Sequence, residues 1–151
     1  MMEEKIEEKK QISYGKLISR EDFMSDRCMP ADVKNKLEDV PHYLFIFIPS
    51  DEILKISVFP SKNPTIKKIL IRLKEFSPEL VKGISDILKN FKLGSSTIHT
   101  TGLCFENINC FYETYMSVVD MPTSMDEIKA EFMKVPRVEE VSIIDIPIEK
   151  W

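Results

Sequence analysis

The sequence predicts an α+β protein built as a short β-rich unit followed by a β-α-β-β-α-β unit. Three observations carry that expectation. "HYLFIFIPSDEILKISVFP" holds two β-rich runs, Tyr43 to Ile48 and Ile53 to Phe59, parted by Pro49-Ser50-Asp51-Glu52, so the apolar pattern breaks where turn residues sit. "TIKKILIRLKEF" alternates Ile69, Ile71 and Leu73 against Leu70, Arg72 and Lys74, then runs directly into a helical stripe opened by Ser77 and Pro78. Ser124 with Glu127 three residues on is a capping box, and it announces a second helix through Ile128, Phe132 and Met133.

Taken in order, residues 1 to 12 are mostly Glu, Lys and Gln and read as a solvated helix or frayed arm. "ISYGKLIS" reads as a short strand, and "MPADVKNKLEDV" as a short helix with Pro30 in its first turn and Val33 and Leu37 four apart. "PSKNPT" carries two prolines and no large apolar residue, which marks a linker. In the first helix after it, Leu80, Val81, Ile84, Ile87, Leu88 and Phe91 fall on one stripe, and Gly94 suits the stop. "SSTIHTTGL" and "NCFYETYMSVVD" read as strands around a polar loop at Glu106 to Asn109, and "VEEVSIIDIPI" as the last strand. The expected organisation is an arm at 1–12, a β-rich domain at 13–60, a linker at 61–65 and a second domain at 66–151.

The order after Thr65 is the split βαβ, or ferredoxin-like, arrangement, in which two helices cover one face of a four-stranded antiparallel sheet. An apolar second face must meet solvent, a ligand or a partner. Leu70, Ile144 and Ile146 fall on it, so the expectation is a face covered in a homodimer.

Composition narrows the function classes. With 43% hydrophobic and 30% charged residues the chain has the balance of a globular protein. No apolar run approaches the ~20 residues that span a bilayer, and "MMEEKIEEKK" lacks the apolar core of a signal peptide, so the expectation is a cytoplasmic protein with no membrane partner. A net charge of −4 argues against wrapping nucleic acid with the whole surface but leaves room for a local basic patch. Cys28, Cys104 and Cys110 are odd in number and sparse, which makes reduced, buried thiols the default; Cys104 and Cys110 flank "FENIN", and a pair meeting across a hairpin could bind metal or respond to oxidation. His42 and His99 bring no metal-ligand spacing with them, so neither a metal site nor a cofactor is expected. Four glycines leave no phosphate loop, Gly-x-Ser-x-Gly is absent, and the hydroxyls around His99 read as an ordinary strand, so the expectation is a protein without catalytic residues.

Glu75-Phe76-Ser77-Pro78-Glu79-Leu80 resembles the turn that opens the first helix of the ACT domain, a small-molecule sensing module with this strand order; Glu79 stands where that family has glycine. The resemblance covers residues 65 to 148. It implies a dimerising domain with a small-molecule effector such as an amino acid at Glu75, Phe76, Ser77, Pro78, Glu79 and Leu80. His99, if it faces the open side of the sheet, joins that set; a satisfied histidine is its plainer reading.

"RCMPADVKNKL" followed by "YLFIFIPSDEILKISVFP" resembles the AbrB-type swapped-hairpin DNA-binding domain through Arg27, Met29, Pro30, Val33, Lys34, Leu37, Pro41, Phe45, Phe47, Ile53 and Pro60. Asp26 replaces that family's glycine, His42-Tyr43 its Gly-Asp pair, and "REDFMSDR" looks like an insertion. This resemblance implies a hairpin swapped between two subunits and duplex DNA held by Lys16, Arg20, Arg27, Lys34 and Lys36, by contacts to phosphates and base edges. A solvated face is the competing reading of those basic residues. Together the resemblances imply a small-molecule-responsive transcriptional regulator; the alternative is an ACT-like dimerisation or protein-interaction module without DNA binding.

Overall fold

A computed structural model describes residues 11–25, 27, 29–93, 97–105, 109–118 and 124–150. Among them the chain forms an α+β fold in the order β1 (Tyr14–Ser19), α1 (Arg20–Ser25), α2 (Ala31–Lys34), β2 (His42–Pro49), β3 (Leu54–Ser61), β4 (Ile66–Leu73), α3 (Pro78–Asn90), β5 (Thr97–Phe105), β6 (Asn109–Ser117), α4 (Met125–Met133) and β7 (Val138–Ile146). The strands make two antiparallel sheets, one ordered β1-β2-β3 and the other β5-β6-β4-β7.

The period-2 alternation of β4 decides how the layers stack, because successive side chains point to opposite faces. Ile69, Ile71 and Leu73 join Leu80, Ile84 and Ile87 of α3, Ile128 and Phe132 of α4, and Val141 of β7 in the main core. Both helices therefore cover the same face of the four-stranded sheet. Helix α3 starts where expected: the Ser77 hydroxyl accepts from the Leu80 N–H at 3.1 Å, and Pro78 occupies the first turn, where its missing N–H costs nothing. Helix α4 begins with the forward half of its capping box, Ser124 accepting from the Glu127 N–H at 3.2 Å.

The opposite face of that sheet is covered by the chain itself. Leu17, Leu44 and Ile46 of the first sheet share a core with Ile66, Tyr115 and Ile146 of the second, and Ile12 packs with Leu70 and Phe111. Leu17 also pairs in parallel with Ile148, and the Glu149 N–H donates to the Leu17 carbonyl at 2.7 Å. The face formed by Leu70, Ile144 and Ile146, expected to meet a partner subunit, is thus filled internally, because the N-terminal sheet presents its own apolar side to it.

Other expectations are corrected in detail. Residues 1–10 of the predicted arm lie outside the described residues, but its end is tied to the fold: Ile12 is buried with its N–H bonded, and the half-buried Gln11 accepts from the Lys68 ammonium. The segment read as an insertion contains α1, started by Ser19, whose hydroxyl accepts from the Asp22 N–H at 3.2 Å. It buries Phe23 against the outer face of the first sheet, stacked on Tyr43 with centroids 3.9 Å apart. Helix α2 is a single turn, and Val33 is exposed. In α3, Val81 is exposed, lying off the buried stripe. Gly94 lies outside the described residues; the left-handed position after α3 is held by Lys92, φ 56°, with the Leu93 N–H returning to the Leu88 carbonyl at 2.7 Å.

Candidate functional site

A cleft of about 420 Å³ opens between the first turns of α3 and the turn joining α4 to β7. Three local features build it. The Lys74 N–H donates to the Arg137 carbonyl at 3.3 Å and Glu75 pairs with the Arg137 guanidinium, which fastens the β4–α3 turn to the α4–β7 turn. Arg137 itself sits at φ 73°, a backbone conformation that non-glycine residues rarely adopt. Gly83 lets the two elements approach, since a Cβ there would meet Val135 Cγ1 at 3.3 Å.

The floor of the cleft is apolar, formed by Leu80, Ile87 and Val135, and the rim carries both signs of charge. Glu79 and Glu131 lie on it with Lys134 and Arg137, and Lys134 Nζ bonds Glu131 Oε1 at 2.6 Å. An apolar floor with a few polar groups of both signs is suited to a small amphoteric molecule.

The predicted effector residues divide over three places. Ser77, Glu79 and Leu80 line the cleft, and Glu75 pairs with Arg137 beside it. Phe76 and Pro78 line a shallower hollow on the other side of α3, which Ser77 also borders. His99 lines neither the cleft nor the hollow. It lies between the sheets, its ring centroid 5.3 Å from that of Phe59 and its Nε2 2.9 Å from Thr101 Oγ1.

The predicted DNA-binding residues are not gathered into a patch of bare cations. Lys16 pairs with Glu149 at 3.1 Å, and Arg20 pairs with Asp39, whose hydrogen bond and then charge raise the guanidinium pKa. Lys34, expected on display, is 5% exposed; its ammonium donates to the Met24 carbonyl at 3.4 Å and lies over the Phe23 ring. Arg27 and Lys36 are exposed.

Sequence reasoning missed a fully buried polar cluster among the described residues. Lys68 of β4 and Glu113 of β6 pair at 2.6 Å with side chains 1% and 0% exposed. The ammonium also donates to the Ser13 carbonyl at 2.6 Å and to Gln11 Oε1 at 2.8 Å. The carboxylate accepts from the backbone N–H groups of Ile12 and Ser13 and from the Ser13 hydroxyl, which in turn meets the Tyr115 hydroxyl at 2.9 Å. Burial lowers the Lys68 pKa against the opposing pull of Glu113, and burial raises that of Tyr115. The available signal was parity: Lys68 alternates with Ile66 and Leu70, and Glu113 with Phe111 and Tyr115, so each charge sits on an otherwise apolar face.

Cys104 and Cys110 are opposed in the β5–β6 register and joined by a disulfide, correcting the expectation of reduced thiols. No cluster of His, Cys, Asp and Glu among the described residues is arranged to hold a metal ion, and no helix among them is long and apolar enough to cross a membrane. The chain matches no protein-family model and no curated protein.

Proposed function

We propose that this protein is a small-molecule-binding module of ferredoxin-like, ACT-like topology, and that the cleft between α3 and the α4–β7 turn takes a small zwitterion such as an amino acid. The observation that carries the reading is the pairing of an apolar floor, Leu80, Ile87 and Val135, with a rim of two carboxylates and two cations in about 420 Å³. The sheet order β5-β6-β4-β7 with both helices on one face supports the topology.

A ligand carboxylate would take up the Lys134 and Arg137 side, and an ammonium the Glu79 and Glu131 side, each exchanging a surface ion pair worth little in water for a partly desolvated one. Thermal melts of the full chain against each of the twenty amino acids check this, because a ligand that binds only the folded state raises the midpoint. At least one amino acid is expected to do so. No shift with any of them sinks the reading.

The DNA-binding regulator draws less support. Lys16 and Arg20 are engaged with carboxylates and Lys34 is buried, which leaves Arg27 and Lys36 of the expected set to meet phosphates. Salt-dependent affinity of the full chain for duplex DNA at low ionic strength would restore it.

A further inference from the structure

We propose that Cys104 and Cys110 form a thiol–disulfide exchange site whose redox state controls the order of the β5–β6 hairpin and, through Phe76, of the turn that opens α3. The inference stands whether or not the cleft takes a ligand. The two residues face each other in the hairpin register, and the disulfide closes a sequence separation of only 6. That is the short end, where a crosslink restrains the unfolded chain least and where its value as a staple is smallest. Their accessibility differs: Cys110 is fully buried in the main core and Cys104 is part-exposed.

Phe76 connects the pair to the rest of the fold. It packs on the same core as Cys104 and Cys110. Gly102, on the same face of β5 as Cys104, lies so close that a Cβ there would meet Phe76 Cζ at 3.1 Å. Phe76 immediately precedes Ser77, the N-cap of α3. Loosening the end of the hairpin therefore removes one wall of the Phe76 seat, next to the residue that sets the helix start.

The exchange needs a dithiol reductant. Its thiolate attacks Cys104 Sγ, the S–S bond breaks, and the electron pair leaves with Cys110 Sγ, which takes up the proton that the reductant's second thiol gives up. The reductant's second thiolate then attacks its own sulfur in the mixed disulfide and releases Cys104 as a thiolate that is protonated in turn. Two electrons pass to the protein, and the reductant leaves as a disulfide.

The test uses the full folded chain, equilibrated with oxidised glutathione or with dithiothreitol, labelled with a maleimide and weighed. Expected is a gain of two labels on reduction without denaturant, and hydrogen exchange roughly tenfold faster in residues 75–81 and in β5 and β6, with the N-terminal sheet unchanged. A Cys104→Ala/Cys110→Ala variant should show the reduced pattern in either buffer, and the wild-type comparison stands alone if that variant fails to fold. Three outcomes overturn the proposal: no disulfide after oxidation, reduction only once urea has unfolded the chain, or exchange that is unchanged or faster throughout.

Discussion

Lys68 and Glu113 form a fully buried ion pair, since neither side chain reaches solvent. Removing one partner strands the other charge without water, so Glu113→Leu is expected to cost about 3–5 kcal/mol. In the Lys68→Met/Glu113→Leu double variant no charge is stranded, and urea melts should show a loss well below the sum of the singles. Alkaline pH tests the same site. Burial lowers the Lys68 pKa from 10.5, so between that lowered value and 10.5 the unfolded chain binds the proton more firmly and stability rises with pH. Tyr112 and Tyr115 act oppositely: burial raises both from 10.0, so above that value the unfolded chain loses its phenolic protons first and stability falls. Urea midpoints followed through this range should rise and then fall, and Lys68→Met should abolish the rise. Gly15 shows the same crowding from another side, because a Cβ there would run into the Tyr115 ring. Gly15→Ala should cost about 1–3 kcal/mol by pushing that ring off Ser13, read as a lowered melting midpoint.

At the scale of elements, local rules explain the helices well and fail where tertiary packing decides. Ser77 and Ser124 were legible as caps because capping is a short-range hydrogen bond between neighbours in sequence. Helix α1 was not legible: its six residues carry one buried side chain, Phe23, and only the aromatic face of Tyr43 and Phe45 gives that residue a place to go. Glycine is the usual left-handed residue after a helix, which points to Gly94, yet Lys92 takes that conformation, held by the bond from Leu93 back to Leu88. Lys92→Gly is accordingly expected to stabilise the protein by about 0.5–1 kcal/mol, measured by urea melts. The candidate site was legible in part. Ser77, Glu79 and Leu80 follow from the turn that opens α3, whereas Glu131 at the end of α4 and Lys134, Val135 and Arg137 of the turn after it come from a stretch more than fifty residues away that only the fold brings beside it.

Across the whole molecule, the two sheets pack face to face around a shared core, and the Gln11–Ser13 segment is locked between them by the Lys68–Glu113 network. Sequence patterning showed that a second apolar face existed on β4 and β7, but periodicity carries no record of what covers a face, and a second subunit was the expected cover. The chain supplies its own cover, burying Leu70 and Ile146, and the cleft beside α3 lies on the helical side of the four-stranded sheet. The reading of the protein as a small-molecule-binding module rests on that cleft. The most direct measurement is a set of nitrogen–proton correlation spectra of the full chain recorded while each amino acid is titrated in. The account predicts saturable shifts for at least one of them, concentrated at the amides of Leu80, Gly83, Val135 and Arg137 and lost in Gly83→Leu, whose side chain would fill the cleft. Spectra unchanged by all twenty, or shifts centred on another surface and indifferent to Gly83→Leu, would contradict it.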